Sequence, residues 1–427
     1  MSKAVISNRI YLTRTKEIFD HCLKELTYKI PSNRPRIPPE IICDIHIVGD
    51  KVFSIPVGRV DLIPEGWEIL DKRKLAPINL PTPQTTLRDD QVDVYDSVVD
   101  NCLVNAKPGW GKTFVGLNIA AKFNEKTLVV VHNTVLRDQW VEETKKVFGF
   151  TPGIIGTGKF QYETDIVISN TQTLGKHIQK YKDMFGLLIV DECHRVPATT
   201  FKNIVDACYA RYKIGLSATI GRKDGKHVII PDYFSKKVFA PKKDTAMKPI
   251  IYCIHSNIGL DNSLGHWARK VTALSEDEQY QNLICDIANI KINVDKHKIL
   301  VVGDRLEFLE SCANRVPNTT LVTSYTDGRL NIHKQIFNDL NGIFGTTSIY
   351  KEGVNIPPLS CLILGSPINN RYLLEQLIGR VTRPFKGKRT PEIIDIVLSD
   401  KVSKRQFAER MNYYASQNYK IIQVRND

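Results

Sequence analysis

The amino-acid sequence predicts an α/β protein: two tandem doubly wound parallel-sheet domains with a small α+β domain ahead of them. Three observations carry that expectation. From residue 87 to about residue 241, short apolar runs alternate with helix-length segments, the pattern of parallel strands buried on both faces. The same rhythm restarts at residue 298 and continues to residue 397. Proline clusters at 30–39 and 77–83 disfavour helix and central strand, and so set off the first 80 residues from the rest of the chain.

Along the chain, residues 15–28 place Ile18, Phe19, Cys22, Leu23 and Leu26 at helical spacing. Residues 41–48 and 52–57 alternate apolar positions on either side of Gly49-Asp50-Lys51, which predicts a hairpin. Strands of the first large domain are expected at 102–105, 127–131, 165–169, 187–190 and 212–216. Those of the second are expected at 298–302, 320–323, 342–346, 361–364 and 393–397. Between the two, Lys236, Lys237, Lys242, Lys243 and Lys248 crowd one segment. That segment is either a solvated face or an insertion that tracks phosphates.

A chain of 427 residues can bury two sizeable cores and an accessory unit. Its 42% hydrophobic and 25% charged residues exclude a disordered or fibrous protein. A formal net charge of +13 favours a polyanionic partner, either nucleic acid or an anionic membrane surface. The nine cysteines form no CxxC pair and have no clustered histidines, which speaks against a disulfide framework and a zinc site. Residues 1–10 hold no apolar signal segment and no stretch is long enough to span a bilayer. The expected location is intracellular, in cytoplasm or nucleoid, or in host cytoplasm for a viral protein.

The motifs narrow the partner. Residues 106–113, Ala-Lys-Pro-Gly-Trp-Gly-Lys-Thr, follow an apolar strand and precede a helix, the order of a phosphate-binding loop. Pro108, Gly109, Trp110 and Gly111 shape the turn, and the glycines let main-chain N–H groups and the helix N-terminus approach a β-phosphate. Lys112 would neutralise β/γ charge and the Thr113 hydroxyl would bind Mg²⁺. Ala106 stands where the generic pattern has its first glycine. Downstream, Asp191-Glu192-Cys193-His194 ends another apolar run, which places two carboxylates at the carboxyl edge of a parallel sheet. Asp191 suits Mg²⁺ and Glu192 suits polarising the attacking water. Residues 376–383, Gln-Leu-Ile-Gly-Arg-Val-Thr-Arg, space Arg380 and Arg383 three apart, so on a helix they would share a face.

These segments together resemble a superfamily 2 helicase of the DExH type, over almost all of residues 87–398. The resemblance implies two RecA-like domains that clamp ATP and Mg²⁺, the second contributing Arg380, Arg383, Gln376 and Gly353, with Glu352 beside it. It makes Arg88 and Gln91, in the Leu-Arg-Asp-Asp-Gln segment, adenine readers. His132 and Asn133 fall in a segment similar to motif Ia, Thr171 in the next strand-end motif, Arg305 in motif IV and Thr346 in motif V; all four segments are implied to face nucleic acid. Ser217 and Thr219, in Gly-Leu-Ser-Ala-Thr, resemble the coupling motif III, to which His194 would answer. Residues 215–225 and 352–359 are most similar to the XPB/UvsW-like branch, which implies DNA rather than RNA.

On this reading residues 1–80 are an accessory, DNA-binding domain and 81–240 the ATP-binding domain. Residues 241–285 are a basic insertion or linker, and 286–427 the second motor domain. The implied activity is that of an ATP-dependent DNA helicase or translocase, a monomeric motor acting on forked, branched or single-stranded DNA in replication, recombination or repair. An RNA helicase and an ATP-switched annealing protein are the alternatives.

Overall fold

The computed structural model describes residues 2–31, 38–195, 199–218, 225–242, 246–326, 328–350 and 356–425. Thr219, Lys243, Glu352 and Gly353, singled out above, lie outside the described residues.

The N-terminal segment folds as β1 (Lys3–Ile6), β2 (Arg9–Thr13), α1 (Lys16–Glu25), β3 (Thr27–Ile30), β4 (Glu40–Cys43), β5 (His46–Ile47), β6 (Val52–Pro56) and β7 (Glu68–Asp71). Helix α1 begins where the Thr15 hydroxyl accepts the Ile18 N–H at 3.3 Å, and its Cys22 is packed with Ile10, Leu12, Leu26, Phe53 and Ile55 against the sheet. That sheet runs β5-β6-β2-β1-β7. The expected hairpin across Gly49 is present as β5 and β6, but the first arm is shorter than the sequence pattern implies. Asp44 interrupts it: its buried carboxylate pairs with Arg9 at 3.1 Å, and β4 turns away to pair with β3.

The first large sheet is built from β8 (Cys102–Asn105), β9 (Thr127–Val131), β10 (Gly153–Gly156), β11 (Lys159–Phe160), β12 (Ile166–Asn170), β13 (Leu187–Asp191), β14 (Tyr212–Ser217) and β15 (Val238–Phe239). Its order is β11-β10-β12-β9-β13-β14-β8-β15, parallel except for the edge strand β11. Helices α2 (Asp89–Ser97), α3 (Lys112–Phe123), α4 (Thr134–Phe148), α5 (Thr171–Tyr181), α6 (Thr199–Ala207) and α7 (Ile230–Tyr233) accompany it. Every residue of β9, β12 and β13 is buried, which is why these strands read as unbroken apolar runs.

The second sheet is wholly parallel. Its strands are β16 (Ile250–His255), β17 (Ile299–Gly303), β18 (Thr319–Val322), β19 (Gly342–Thr346), β20 (Cys361–Leu364), β21 (Glu392–Val397) and β22 (Lys420–Arg425), in the order β18-β19-β17-β20-β21-β16-β22. Helices α8 (Trp267–Glu276), α9 (Glu278–Asn293), α10 (Leu306–Arg315), α11 (Arg329–Gln335), α12 (Thr347–Tyr350), α13 (Arg371–Val381) and α14 (Lys401–Ser416) belong with it. Here the structure corrects the expected insertion at 241–285: β16 pairs with β21 and β22, and α9 packs in the core of the second sheet. The lysines and prolines around residue 250 hide that strand from a pattern reading. Two of the lysines are engaged locally, Lys236 with Asp61 at 2.8 Å and Lys242 with Asp93 at 3.2 Å. Among the described residues no helix is long and apolar enough to cross a membrane.

By contacts the chain divides into Met1–Lys107 with Gly111–Asp244, and Pro108–Trp110 with Thr245–Asp427. The N-terminal sheet therefore shares a unit with the first large sheet, and buried charge fastens the two. Arg59, with 1% of its surface exposed, donates to Asp232 at 3.1 Å and to Asp61 at 3.0 Å, while Tyr28 donates its hydroxyl to the same Asp232 oxygen at 3.0 Å. Arg9 bridges Asp44 and Asp206. Removing one partner of such a pair strands the other charge in the interior. Arg59→Ala should therefore cost about 3–5 kcal/mol in denaturant unfolding, and the apolar double replacement Arg59→Met with Asp232→Leu should recover much of it. A loss within the roughly 0–1 kcal/mol of an exposed pair would refute this account.

Candidate nucleotide-hydrolysis site

Parallel strands deliver their carboxyl ends to one edge of the first sheet, and the predicted phosphate loop leaves from that edge. Beyond β8, the Ala106 N–H bonds the Ser217 carbonyl at 3.0 Å, which ties the start of the loop to the end of β14. Pro108, Gly109 and Trp110 follow in sequence. Gly111 caps α3 with φ +95°, a left-handed conformation that favours glycine, and a Cβ there would stand 2.7 Å from the Gln91 amide nitrogen. Lys112 opens α3 and folds its ammonium back to the Ala106 carbonyl at 2.9 Å, with Thr113 next to it in the first turn, where helix N–H groups lack partners within the helix. Gln91 is buried, its side-chain Oε1 accepting the Arg88 main-chain N–H at 3.0 Å as part of a capping box on α2, while the half-exposed Arg88 guanidinium pairs with Asp90.

The acidic pair ends β13. One Asp191 oxygen accepts the Glu192 N–H at 2.9 Å and the other accepts the indole N–H of Trp140 at 2.8 Å. Glu192 adopts φ +52°, an uncommon left-handed kink for a side-chain-bearing residue, which turns the chain out of the strand. His194 Nδ1 lies 3.2 Å from Glu192 Oε2 and 3.0 Å from Ser217 Oγ, so one imidazole bridges the acidic motif and the end of β14.

Electrostatics separate the two carboxyls. Burial pushes both upward. At Glu192 the His194 hydrogen bond and the nearby Lys112 ammonium outweigh it and hold the group down to about 2, so it is an anion. At Asp191 burial and then the adjacent Glu192 charge prevail and raise it. A divalent cation held beside Asp191 would reverse that balance. Cys193 is buried and its thiol is raised far above the ordinary range by burial, so it is chemically quiet. The residues fit a magnesium nucleotide: a hydroxyl and one carboxylate suit an ion that draws its other ligands from phosphates and water.

The remaining predicted residues fall at strand ends and on or just after helix α13. His132 and Asn133 follow β9; Asn133 caps α4 by accepting the Leu136 N–H at 2.8 Å, and the His132 carbonyl accepts from Gln172 at 3.3 Å. Thr171 follows β12 and is buried, whereas Gln172 beside it is exposed. In the second unit, Thr346 ends β19 with its hydroxyl 3.1 Å from that of Ser348. Arg305 caps α10, and its guanidinium reaches Thr272 Oγ1 and the Ala268 carbonyl, both at 2.8 Å, which makes it a brace to α8. Gln376 and Arg380 lie on α13; Arg380 is buried and donates Nε to the Tyr350 carbonyl at 3.0 Å. The expectation that Arg380 and Arg383 share a helical face is corrected: α13 stops at Val381, Thr382 caps it, and Arg383 lies beyond the helix. Its carbonyl and that of Pro357 hold the Lys388 ammonium, which burial lowers to about 7. Trp140 ends the segment similar to motif Ia, but its contact with Asp191 escapes a motif reading, because nothing in a sequence indicates which buried tryptophan meets a carboxylate.

Glu192→Gln should lower ATP turnover by about 10²–10⁴-fold while fluorescent ADP still binds with near-native affinity. His194→Ala should preserve part of the hydrolysis and lose most strand displacement, because it removes the bridge to Ser217. A Glu192→Gln enzyme that still turns over would remove Glu192 from the chemistry.

The chain is similar to known helicases. The family model described as "Type III restriction enzyme, res subunit" matches residues 82–222. "Probable helicase D10" of Escherichia phage T5 is 38% identical, over 98% of this chain and 96% of the phage protein. "DNA 3'-5' helicase XPB" of Kineococcus radiotolerans is 26% identical, over 88% of this chain and 72% of its own. The solved structure of S. cerevisiae Dbp5 bound to RNA and ADP BeF3 shares the fold at a TM-score of 0.58 and 11% identity, covering 79% of this chain and 90% of that one. The chain belongs to the superfamily 2 helicases, with the phage T5 protein, and is a nucleic-acid-dependent ATPase.

Proposed function

We propose that the chain is a DNA helicase or translocase that works on forked or branched DNA during replication, recombination or repair. The observation that carries this reading is the N-terminal sheet, fastened to the first motor domain by the buried Arg59–Asp232 and Arg9–Asp206 pairs. A body fixed in that way moves with the motor and can hold or split a duplex while the motor advances. The name of the Kineococcus relative, a DNA helicase, supports DNA as substrate, and the net charge of +13 supports a polyanion. Likeness to a phage protein supports action in the cytoplasm of a bacterial host.

In the hydrolysis step, the main-chain N–H groups of the 106–113 loop and Lys112 bind the phosphates of ATP. Thr113 and Asp191 would hold Mg²⁺, which when bound neutralises phosphate charge. Glu192, an anion held by His194, takes the proton of the attacking water. Gln91 and Arg88 read adenine. On sequence resemblance we assign Arg380 and Arg383 to the developing γ-phosphate charge, with Gln376 and Gly353 beside them. Ser217 and Thr219, through His194, relay the state of the nucleotide to the strand-end residues His132, Asn133 and Thr171, and Arg305 and Thr346 grip nucleic acid in the second domain. The motor acts as a monomer.

A panel of single-stranded DNA, forks, four-way junctions and RNA duplexes tests the reading. DNA should stimulate hydrolysis and forks or junctions should be unwound or migrated. Lys112→Ala should abolish both, and affinity should fall steeply with salt, because phosphate contacts release counterions. Stimulation by RNA but not DNA would establish the RNA alternative. Strand annealing unchanged by Glu192→Gln would establish the switch alternative.

A further inference from the structure

Trp140 is the largest fully buried side chain among the described residues, at 0% exposure. A buried indole N–H needs an acceptor, and the one it finds is a catalytic-motif carboxylate: Asp191 Oδ2, at 2.8 Å. The second Asp191 oxygen is held by the Glu192 N–H at 2.9 Å. Two donors on the two oxygens fix the plane of the carboxylate, leaving one lone pair of each oxygen for another ligand. The far edge of the same indole rests on α3 at Gly116, so closely that a Cβ there would lie 2.9 Å from ring carbon Cη2. Gly116 is one helical turn from Lys112. A single rigid ring therefore spans the helix that begins with Lys112 and the strand that ends with Asp191.

We propose that Trp140 is a positioning residue for magnesium nucleotide: its indole N–H sets the orientation of the Asp191 carboxylate, and its ring sets the spacing between that carboxylate and the phosphate-loop helix. This rests on the reading of Asp191 as the metal-side carboxylate. A ring that only filled the core would need no polar partner of its own choosing; phenylalanine would serve as well. Groups that orient a metal ligand from behind typically matter about 10–100-fold in metal affinity or activity.

The test compares Trp140→Phe with a protein carrying β-(3-benzothienyl)alanine at 140, which keeps the shape of the ring and replaces N–H by sulfur. The Mg²⁺ concentration that half-saturates tight binding of a fluorescent ADP analogue is read alongside kcat, KM for ATP and the melting temperature. Both variants should need roughly 10–100-fold more Mg²⁺ and lose kcat, with metal-free ADP binding and KM little changed. The benzothienyl protein should do so at a near-native melting temperature, which keeps the test intact if Trp140→Phe folds poorly. A benzothienyl protein with native Mg²⁺ dependence overturns the proposal. Asp191→Asn separates the two levels: if it leaves Mg²⁺ dependence unchanged, the reading of Asp191 fails and the proposal with it. If it shifts that dependence while neither Trp140 variant does, only the proposal fails.

Discussion

Two carboxylates on consecutive residues, at the end of a strand with no exposed side, are the constraint around which the first motor domain is arranged. Burying one such charge without partners costs several kcal/mol, and adjacent like charges add to that cost. Asp191 and Glu192 are tolerated because each is answered separately. Asp191 has an indole N–H and a backbone N–H; Glu192 has His194; Lys112 acts on both. Glu192 itself takes a left-handed backbone conformation. The result is one acidic pair with two electrostatic roles.

The same answers are also the wiring of the site. His194 pairs with Glu192 and touches Ser217, so the imidazole beside the acidic motif also reaches the end of β14. The Ala106 N–H bonds Ser217 from the other side. The loop that precedes α3, the acidic motif and the end of β14 are therefore joined at Ser217, by two hydrogen bonds and by the His194–Glu192 ion pair.

A second set of buried charges has a different role. Arg9, Arg59, Asp44, Asp206 and Asp232 join the N-terminal sheet to the first large sheet, and an ion pair of that kind specifies one docking geometry while offering little margin of stability. An apolar interface would hold as well but slide more readily.

Much of this protein is legible in one dimension. The apolar runs that form β8, β9, β12, β13 and β14 announce a parallel sheet because two-sided burial leaves no room for polar alternation. The placement of Lys112 and Thr113 at the start of a helix and of Asp191 and Glu192 at a strand end can be read because each motif directly follows an apolar run. Strand β16 is hidden: its neighbours are lysine and proline, and its place between β21 and β22 is decided by partners far along the chain. The arginine pair reads as one helical face because spacing alone cannot say that α13 ends at Val381. The contact of Trp140 with Asp191, 51 residues apart, and that of Arg59 with Asp232, 173 apart, have no signature in the linear chain. Local periodicity and motif order are properties of neighbouring residues, so they suffice for the elements and the reactive groups. Which buried donor meets which buried acceptor depends on strand order and helix packing, and these exist only once the chain has folded.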